Sequence, residues 1–290
     1  MADRGILSSL RYLFADIIGD DVDTPPFLPE GLPEPVMAAA SDAIHFLIDY
    51  QGPSYAHLYV DRLRRFIGKQ GVDEAMLTDI ARLMAMRMSY EDPIRIAQLK
   101  LFELDDRPGA PAGSVDVKKF RIEELIGALP AVVAEYLLDA LDWAGWLNKR
   151  VSIRFSTASW LGIRRLKIEA GLRRWRLLSV RYTKERVWVE RWLHMIDRSL
   201  TKQPQAAPAI VQTATMIEGY GDVYRQGLAD WNAIIDGLVK PTFDGVLALP
   251  DLGNAVTDAR AAALPDPRQS ALKRKIAEIR ARATASAYVT

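Results

Sequence analysis

The stretch LMAMRMSYEDPIRIAQLK, residues 83–100, joins two apolar helical sequences through a polar corner. Apolar residues before the corner recur at helical spacing, which predicts a core-facing helix that ends near Met88. Pro93 suits the first turn of a following helix, and Asp92 before it is a good N-cap. The stretch therefore predicts a helix, a tight corner and a second helix.

The corner is rich in charge. Two interpretations follow from it. Exposed ion pairs would brace the corner weakly, at about 0.3–0.5 kcal/mol each. A buried polar network would instead hold the helices in place near a partner surface, and this is the interpretation we favour. Its predicted members, with the lysine that ends the stretch, are Arg87, Tyr90, Glu91, Asp92, Arg95 and Lys100.

Helical patterning of the same kind covers most of the remaining sequence, with proline and glycine at the breaks. Only VSIRF, residues 151–155, alternates as a strand does. The expected fold is therefore all-α, an irregular multi-helix bundle with at most a short strand pair near 151–155. A second helical run, Ile122 to Leu147, is split by Pro130. Its expected core residues are Val132, Val133, Tyr136, Leu137, Leu141 and Trp143.

Two proline- or glycine-rich segments suggest the domain organisation. Residues 1–35 combine an amphipathic helix, at 4–18, with a proline-rich linker, and residues 36–290 form the helical domain. The N-terminal helix could dock on a partner chain or fold back on its own body, and the sequence does not choose between these. The polar connector 105–119 is the best internal boundary, and it separates candidate lobes 36–106 and 116–290.

Composition excludes several classes of site. The sequence has no cysteine, and hence no disulfide, cysteine nucleophile or cysteine-ligated zinc or iron–sulfur cluster. His45, His57 and His194 are scattered, so we expect no metal site. Formal net charge is only +1. No apolar run is long enough to cross a bilayer, and Arg11 and Asp16 interrupt the N-terminal apolar residues, so a cytoplasmic location is expected.

The tryptophans and basic residues are concentrated in one segment. Six of the seven tryptophans lie between residues 143 and 192, and residues 149–198 carry fourteen Lys or Arg against four Asp or Glu, a balance of +10. Nucleic acid or an anionic membrane would bind such a surface. The segment lacks a modular nucleic-acid signature, so we favour a solvated or partner-facing basic surface over a tryptophan core. The predicted surface residues are Arg164, Arg165, Arg173, Arg174 and Arg176.

The segment IEGYGDVYRQGLADW, residues 217–231, contains two glycines that could suggest a phosphate-binding loop. Such a loop needs a preceding strand and further glycines at set spacing, which are missing from the sequence. We predict a turn between helices instead, with Asp222 capping a helix that runs to Val239 and is broken by Pro241. Tyr220 and Asp222 join the predicted polar or partner contacts. Glu91, Asp92 or Asp222 as the acid or base of an independent enzyme is the weakest hypothesis, because it needs a pocket and shifted pKa values.

Four segments, taken in order, resemble a known family. They are DYQGPSYAHLYVDRL (49–63), the stretch 83–100, the tryptophan-rich run 141–176 and the segment 217–231. Together they resemble the C-terminal helical domain of the indolepyruvate oxidoreductase beta subunit, within the 2-oxoacid:ferredoxin oxidoreductases. The resemblance covers roughly Pro35 to the C-terminus.

This resemblance implies a role in the oxidative decarboxylation of arylpyruvates such as indolepyruvate to acyl-CoA, with ferredoxin or a similar carrier as electron acceptor. In that family, thiamine diphosphate and the iron–sulfur clusters are on the alpha subunit. The sequence has no GDG…NN thiamine motif, and a short helix and proline linker stand where the family has an α/β domain. The expectation is a non-catalytic helical subunit with no cofactor of its own, whose partners are the thiamine- and cluster-bearing subunits.

Overall fold

The computed structural model describes residues 26–105, 115–147 and 149–287. The predicted N-terminal helix at 4–18 lies outside these residues. Four helices come first in the described chain: α1 (Glu34–Tyr50), α2 (Pro53–Leu63), α3 (Glu74–Met88) and α4 (Pro93–Asp105). They are followed by β1 (Val115–Arg121), α5 (Ile122–Gly127), α6 (Ala131–Trp143), β2 (Arg150–Ser156), α7 (Trp160–Gly171) and a 3-10 helix (Leu172–Leu178).

The C-terminal part begins with α8 (Val180–Lys202), followed by a 3-10 turn (Pro204–Ala206), α9 (Ala207–Val211) and a second 3-10 segment (Gln212–Met216). The remaining elements are α10 (Gly221–Ile234), a π-helical turn (Ile235–Val239), α11 (Lys240–Phe243), α12 (Leu252–Ala261) and α13 (Ser270–Ala287). The fold is thus predominantly all-α, as predicted. No helix within the described ranges is both long and apolar enough to cross a membrane.

The helix–corner–helix prediction for residues 83–100 is confirmed. Helix α3 ends at Met88 and α4 begins at Pro93. The carboxylate of Asp92 caps α4, since its Oδ1 accepts a hydrogen bond of 2.7 Å from the backbone N–H of Arg95. This bond satisfies one of the backbone donors that a helix N-terminus leaves unpaired.

The strand expected at 151–155 forms within β2, and its partner is β1. The two strands pair antiparallel, from Val115 opposite Ser156 to Arg121 opposite Arg150. The expectation of a connector over 105–119 was therefore wrong for the residues of β1. A strand leaves its backbone donors and acceptors unpaired until a second strand meets them, and β1 supplies that partner. Phe120 and Phe155 lie buried on one face of the strand pair, and their ring centroids are 6.4 Å apart.

Pro241 does not end the helix that follows the glycine turn. Helix α10 continues through the π-helical turn into α11, and Pro241 lies inside α11. Proline cannot donate a helical hydrogen bond, and the π-helical turn immediately before α11 changes the bonding register there. The predicted cap is also corrected: Tyr220 occupies the N-cap position, while Asp222 lies in the first turn and pairs with Arg225 at 2.7 Å.

The described chain divides into two compact units. The first unit comprises the described residues of Met1–Phe27, Ile44–Tyr59 and Met88–Val187. The second unit comprises the described residues of Leu28–Ala43, Val60–Arg87 and Trp188–Thr290. Each unit is assembled from separated segments, so this division differs from the predicted lobes 36–106 and 116–290.

The core of the second unit is built around tryptophans. Trp192 and Trp231 are fully buried, and Trp188 stacks on Trp192 at 6.2 Å and meets Trp231 edge-on at 5.1 Å. Each fully buried indole N–H finds an acceptor: Trp192 donates to the carbonyl of Ile210, and Trp231 donates to Thr213 Oγ1. The apolar stripe predicted for α3 also lies in this core, with Leu77, Ile80, Ala81 and Met84 buried.

Candidate functional site

A buried ion pair between Asp92 and Arg176 forms the centre of the polar network. Arg176 Nε lies 2.7 Å from Asp92 Oδ2, and Nη2 lies 3.0 Å from Oδ1. The two residues are 6% and 1% exposed, respectively. Two parallel hydrogen bonds to one carboxylate fix the orientation of the guanidinium as well as its position. Asp92 thus both caps α4 and anchors a side chain 84 residues away.

The rest of the Arg176 guanidinium is also satisfied. Nη1 donates to the carbonyl of Tyr50 at 2.9 Å and to Gln51 Oε1 at 3.0 Å. The guanidinium carbon lies 4.0 Å from the centroid of the Tyr50 ring, in a cation–π contact. Burial alone would lower the pKa of Arg176, but Tyr50 and the Asp92 carboxylate outweigh it and the pKa is raised. The cation is therefore a permanent charge.

Tyrosines complete this buried cluster. Tyr50 donates its hydroxyl hydrogen to the carbonyl of Tyr90 at 3.1 Å, and Tyr55 donates to the carbonyl of Met88 at 2.8 Å. Burial raises the pKa values of Tyr50 and Tyr90 well above their usual range, so both remain protonated. The hydroxyls of Tyr50 and Tyr55 thus fix the backbone of the corner through hydrogen bonds to its carbonyls.

Arg95 lies in the same cluster. Its guanidinium carbon is 5.1 Å from the Phe46 ring centroid and 5.7 Å from that of Tyr50, and burial lowers its pKa. Tyr90, Asp92 and Arg95 are thus the three members of the predicted polar network that the structure brings together. We name this group, Tyr50, Tyr90, Asp92, Arg95 and Arg176, the corner cluster.

The other predicted contacts lie elsewhere. Arg87 belongs to the second unit, where it donates to the carbonyl of Ile217 and lies over the Trp188 ring. Tyr220 and Asp222 also belong to the second unit. In the first unit, Glu91 is half-buried, and Lys100 pairs with Glu103 at 2.8 Å and Asp116 at 3.7 Å.

The predicted basic surface is only partly correct. Arg164 and Arg165 are exposed, and Arg173 is half-buried. The surface position predicted for Arg176 was wrong, because Asp92 pairs with it inside the first unit. The side chain of Arg174 lies outside the described part of the structure. Sequence reasoning missed Tyr50 and Gln51 as partners, since nothing local to them points to a cation 125 residues away.

Exposed large apolar side chains are concentrated in the first unit. Of the 26 found among the described residues, 21 fall in this unit and five in the second. Soluble chains rarely leave large apolar patches uncovered without an interaction that uses them. Five of those in the first unit are tyrosine or tryptophan, and we name these five the aromatic surface: Tyr136, Trp143, Trp146, Trp160 and Trp175.

Helix α6 exposes a stripe that its sequence predicted to be core. Val133, Tyr136 and Leu137, at i, i+3 and i+4, are 51%, 77% and 40% exposed, and Trp143 is 91% exposed. The core expectation was wrong for these four residues. Helical spacing correctly identified one apolar face, but nothing in the described first unit covers it.

Helix α7 and the 3-10 helix after it expose a second stripe. Leu161, Ile168 and Trp175 follow each other at seven-residue intervals, and all three are more than half exposed. Cations accompany the tryptophans: Lys149 lies 4.2 Å from the Trp146 ring centroid, and Arg164 lies 5.4 Å from that of Trp160. The surface is therefore both apolar and basic.

The corner cluster holds part of this surface in place. Arg176 is a buried residue of the 3-10 helix that displays Trp175, and Gln51 Nε2 donates to the backbone carbonyl of Arg173 in the same helix. An isolated bridge between Pro130 and Ser179 brings the start of α6 alongside the end of this helix. The buried ion pair thus anchors the 3-10 helix that displays Trp175.

The chemistry available in the corner cluster is that of fixed charges and dipoles. Its arginines and aspartate make positioned ion pairs and cation–π contacts, and its buried tyrosines retain their protons. No group of three or more His, Asp or Glu side chains is placed to hold a metal ion within the described ranges. The arrangement is suited to holding a surface in shape.

Comparison with known proteins gives one match. Residues 36–237, more than half of the chain, match a family of unknown function (DUF6537). The chain belongs to this family. The DUF6537 match spans the corner cluster and the whole aromatic surface, and it ends before α12 and α13. No curated protein and no solved structure matches the chain.

Proposed function

We propose that this DUF6537 chain is a non-catalytic helical subunit or domain of an indolepyruvate:ferredoxin-oxidoreductase-like complex. It docks a thiamine- and cluster-bearing partner subunit through the aromatic surface and so supports the oxidative decarboxylation of arylpyruvates. The observation that carries the docking role is the exposure of Tyr136, Trp143 and Trp160, at 77%, 91% and 68%. The four-segment resemblance supports the choice of complex.

The chemistry of the surface defines the partner it would fit. Tryptophan and tyrosine supply much of the binding energy at protein interfaces, where they enter apolar pockets. The local excess of ten positive charges over residues 149–198 favours a partner with an acidic rim. Holding the 3-10 helix through Asp92 and Arg176 reduces the ordering cost when Trp175 is buried. We therefore expect a partner whose docking face has an apolar centre and acidic margins.

Native purification with a cofactor readout tests this proposal. The tagged chain should recover subunits that bring thiamine diphosphate and iron–sulfur absorbance at stoichiometric amounts. The double variant Trp143→Ser/Trp160→Ser should lose both, while Val246→Ser, at an exposed apolar position of the second unit, should retain them. A clean monomer that recovers neither cofactor would refute the proposal.

A second candidate function uses the same surface on nucleic acid or an anionic membrane. The observation that favours it is the placement of Lys149 over Trp146 and of Arg164 over Trp160, both at exposed positions. Binding of this kind weakens steeply between low and moderate salt, because it releases counterions. Single-stranded DNA and anionic vesicles should bind in a strongly salt-dependent manner if this candidate is correct, whereas apolar docking of a subunit should depend on salt much less.

A further inference from the structure

A cavity of about 420 Å³ lies wholly within the second unit. Its volume falls in the range of small-molecule sites, about 300–1,000 Å³. None of its lining residues belongs to the corner cluster or the aromatic surface, so the cavity is independent of the function proposed above. Thr215, Met216 and Asp230 come from the DUF6537 match, and the other lining residues come from α12 and the residues just after it.

Arg260 provides the positive side of this cavity. Its Nη2 donates to Thr215 Oγ1 at 2.9 Å, which fixes the guanidinium against the 212–216 segment. Its Nε is buried and has no hydrogen-bond partner among the described residues. Burial lowers the pKa of Arg260, although an arginine stays charged in a protein. A buried, unpaired N–H on a cation is costly, and an anionic group bound beside it would remove that cost.

Asp230 provides the negative side. The residue is 5% exposed, and its Oδ1 accepts hydrogen bonds from Gln226 Nε2 and Gln269 Nε2, both at 2.8 Å. Both of these hydrogen bonds go to Oδ1, so Oδ2 is the carboxylate oxygen that a ligand donor would use. Gln269 has a φ of +55°, a left-handed conformation that a residue other than glycine seldom adopts. Such backbone conformations persist where the surrounding structure fixes them. Here the hydrogen bond from the Gln269 side chain to Asp230 fixes the residue.

Apolar groups form the remaining wall. Met216, Ala261 and Ala263 line it. Gly227 on α10 allows the helix to pass close to Met216, because a Cβ at residue 227 would lie 2.1 Å from the Met216 carbonyl oxygen. Helix α10 can therefore approach the 212–216 segment closely, and it carries Asp230 one turn after Gly227. The cavity thus offers a cation, an anion and an apolar wall in fixed places.

We propose that this cavity binds a small zwitterion of the amino-acid type. The ligand carboxylate binds Arg260, its ammonium group donates to Asp230 Oδ2, and its short apolar side chain lies against Met216 and the two alanines. The two protein charges select against ligands that carry only one of the two groups, because the other charged side chain would then be left without its partner.

Calorimetric titration of the full chain with matched probes tests the proposal. The probes are L-leucine, 4-methylpentanoate, which lacks its amine, isoamylamine, which lacks its carboxylate, and inorganic phosphate. L-Leucine should bind about tenfold or more tightly than each of the others, since every one of them loses a charge-assisted hydrogen bond. Absence of L-leucine binding to the unaltered chain, or equally tight binding of phosphate, would overturn the proposal.

Two variants show which protein side chain binds the ligand carboxylate and which binds its ammonium group. Arg260→Gln should remove the advantage of L-leucine over isoamylamine, and Asp230→Asn should remove its advantage over 4-methylpentanoate. The exposed residues Arg274 and Asp258 give matched controls, and Arg274→Gln and Asp258→Asn should bind L-leucine unchanged.

Asp230 is buried and bonded, so its variant could unfold the site. Ala261→Phe provides a second route, because Ala261 is exposed at the rim and a phenyl group there would fill the cavity without altering either charge. It should weaken L-leucine binding at unchanged thermal stability. L-Leucine binding that is unaffected by Arg260→Gln and Ala261→Phe would show that the ligand binds elsewhere.

Discussion

Asp92 shows how one side chain in this protein serves two purposes. Its Oδ1 caps α4 and also accepts from Arg176, while its Oδ2 completes the bidentate pair. A carboxylate shared in this way ties a local signal, the start of a helix, to a contact across the first unit. Its importance comes from this coupling, because each side chain would be an unpaired buried charge without the other.

Arg176→Met should destabilise the chain by about 3–5 kcal/mol, because it leaves the Asp92 carboxylate buried and without its cation. Urea denaturation gives the free energy of unfolding. Adding Asp92→Asn to the variant should recover part of the loss, since asparagine keeps the helix cap and removes the stranded charge.

Arg165→Met is the matched control, because Arg165 is exposed and its ion pair is with Glu169 on its own helix. Its expected cost is about 0.3–0.5 kcal/mol. Equal losses for the two arginine variants would contradict the assignment of Arg176 as a buried anchor.

Gly227→Ala should destabilise the second unit by about 1–3 kcal/mol, the usual result of forcing extra atoms into packed structure. The added methyl would lie 2.1 Å from the backbone oxygen of Met216, and backbone cannot move aside as a flexible side chain can. Gly171→Ala on α7 is the control, since a methyl group there would meet nothing within 4 Å and alanine favours helix. Thermal unfolding should show a lower midpoint for the first variant and an unchanged or higher midpoint for the second.

At the scale of elements, charged side chains link helices within the second unit. The Glu190 carboxylate on α8 accepts hydrogen bonds from Arg62 Nε on α2, at 2.8 Å, and from Arg65 Nη1, at 2.9 Å. Burial opposes ionisation of Glu190, but the two guanidinium groups outweigh it and lower its pKa. Lys69 and Arg65 both reach Asp197 two turns further along α8, so a ladder of ion pairs joins these segments.

The lowered pKa of Glu190 predicts an acid-sensitive contribution to stability. The contribution is complete above the unfolded pKa of glutamate, about 4.3, and is lost as the pH falls through the lower folded value. Glu190→Gln should therefore lose stability at pH 7 and little or none at pH 3. Because Glu190 is 42% exposed, the loss at pH 7 should be about 1 kcal/mol or less. Denaturation curves at the two pH values measure it, and an equal loss at both would contradict the assignment.

At the scale of the whole molecule, burial is distributed unevenly. The second unit encloses its tryptophans, whereas the first unit displays Trp143, Trp146, Trp160 and Trp175. An exposed tryptophan contributes little to the folding of an isolated chain, since its surface is not removed from water. Trp143, at 91% exposed, is therefore available for binding and contributes little to the fold.

This difference predicts opposite outcomes for two kinds of tryptophan variant. Trp143→Ser should change the free energy of unfolding by about 0.5 kcal/mol or less, as surface substitutions usually do. Trp192→Ala should lower it by about 3–5 kcal/mol, because Trp192 is fully buried and bonded to the carbonyl of Ile210. A large stability loss in Trp143→Ser would show that this residue supports the fold, and it would weaken the docking proposal.

The sequence by itself determined most of the helices, the corner at residues 89–92, the strand at 151–155 and the core stripe of α3. Helical spacing, a capping aspartate and a proline act within a few residues, so they can be read locally. The same reasoning located an apolar face on α6 but not its exposure. Only the tertiary structure decided that exposure, the pairing of Asp92 with Arg176 and the cavity between Arg260 and Asp230. The physical reason is that periodicity shows which face of a helix is apolar, whereas burial and ion pairing depend on segments that are distant in the chain.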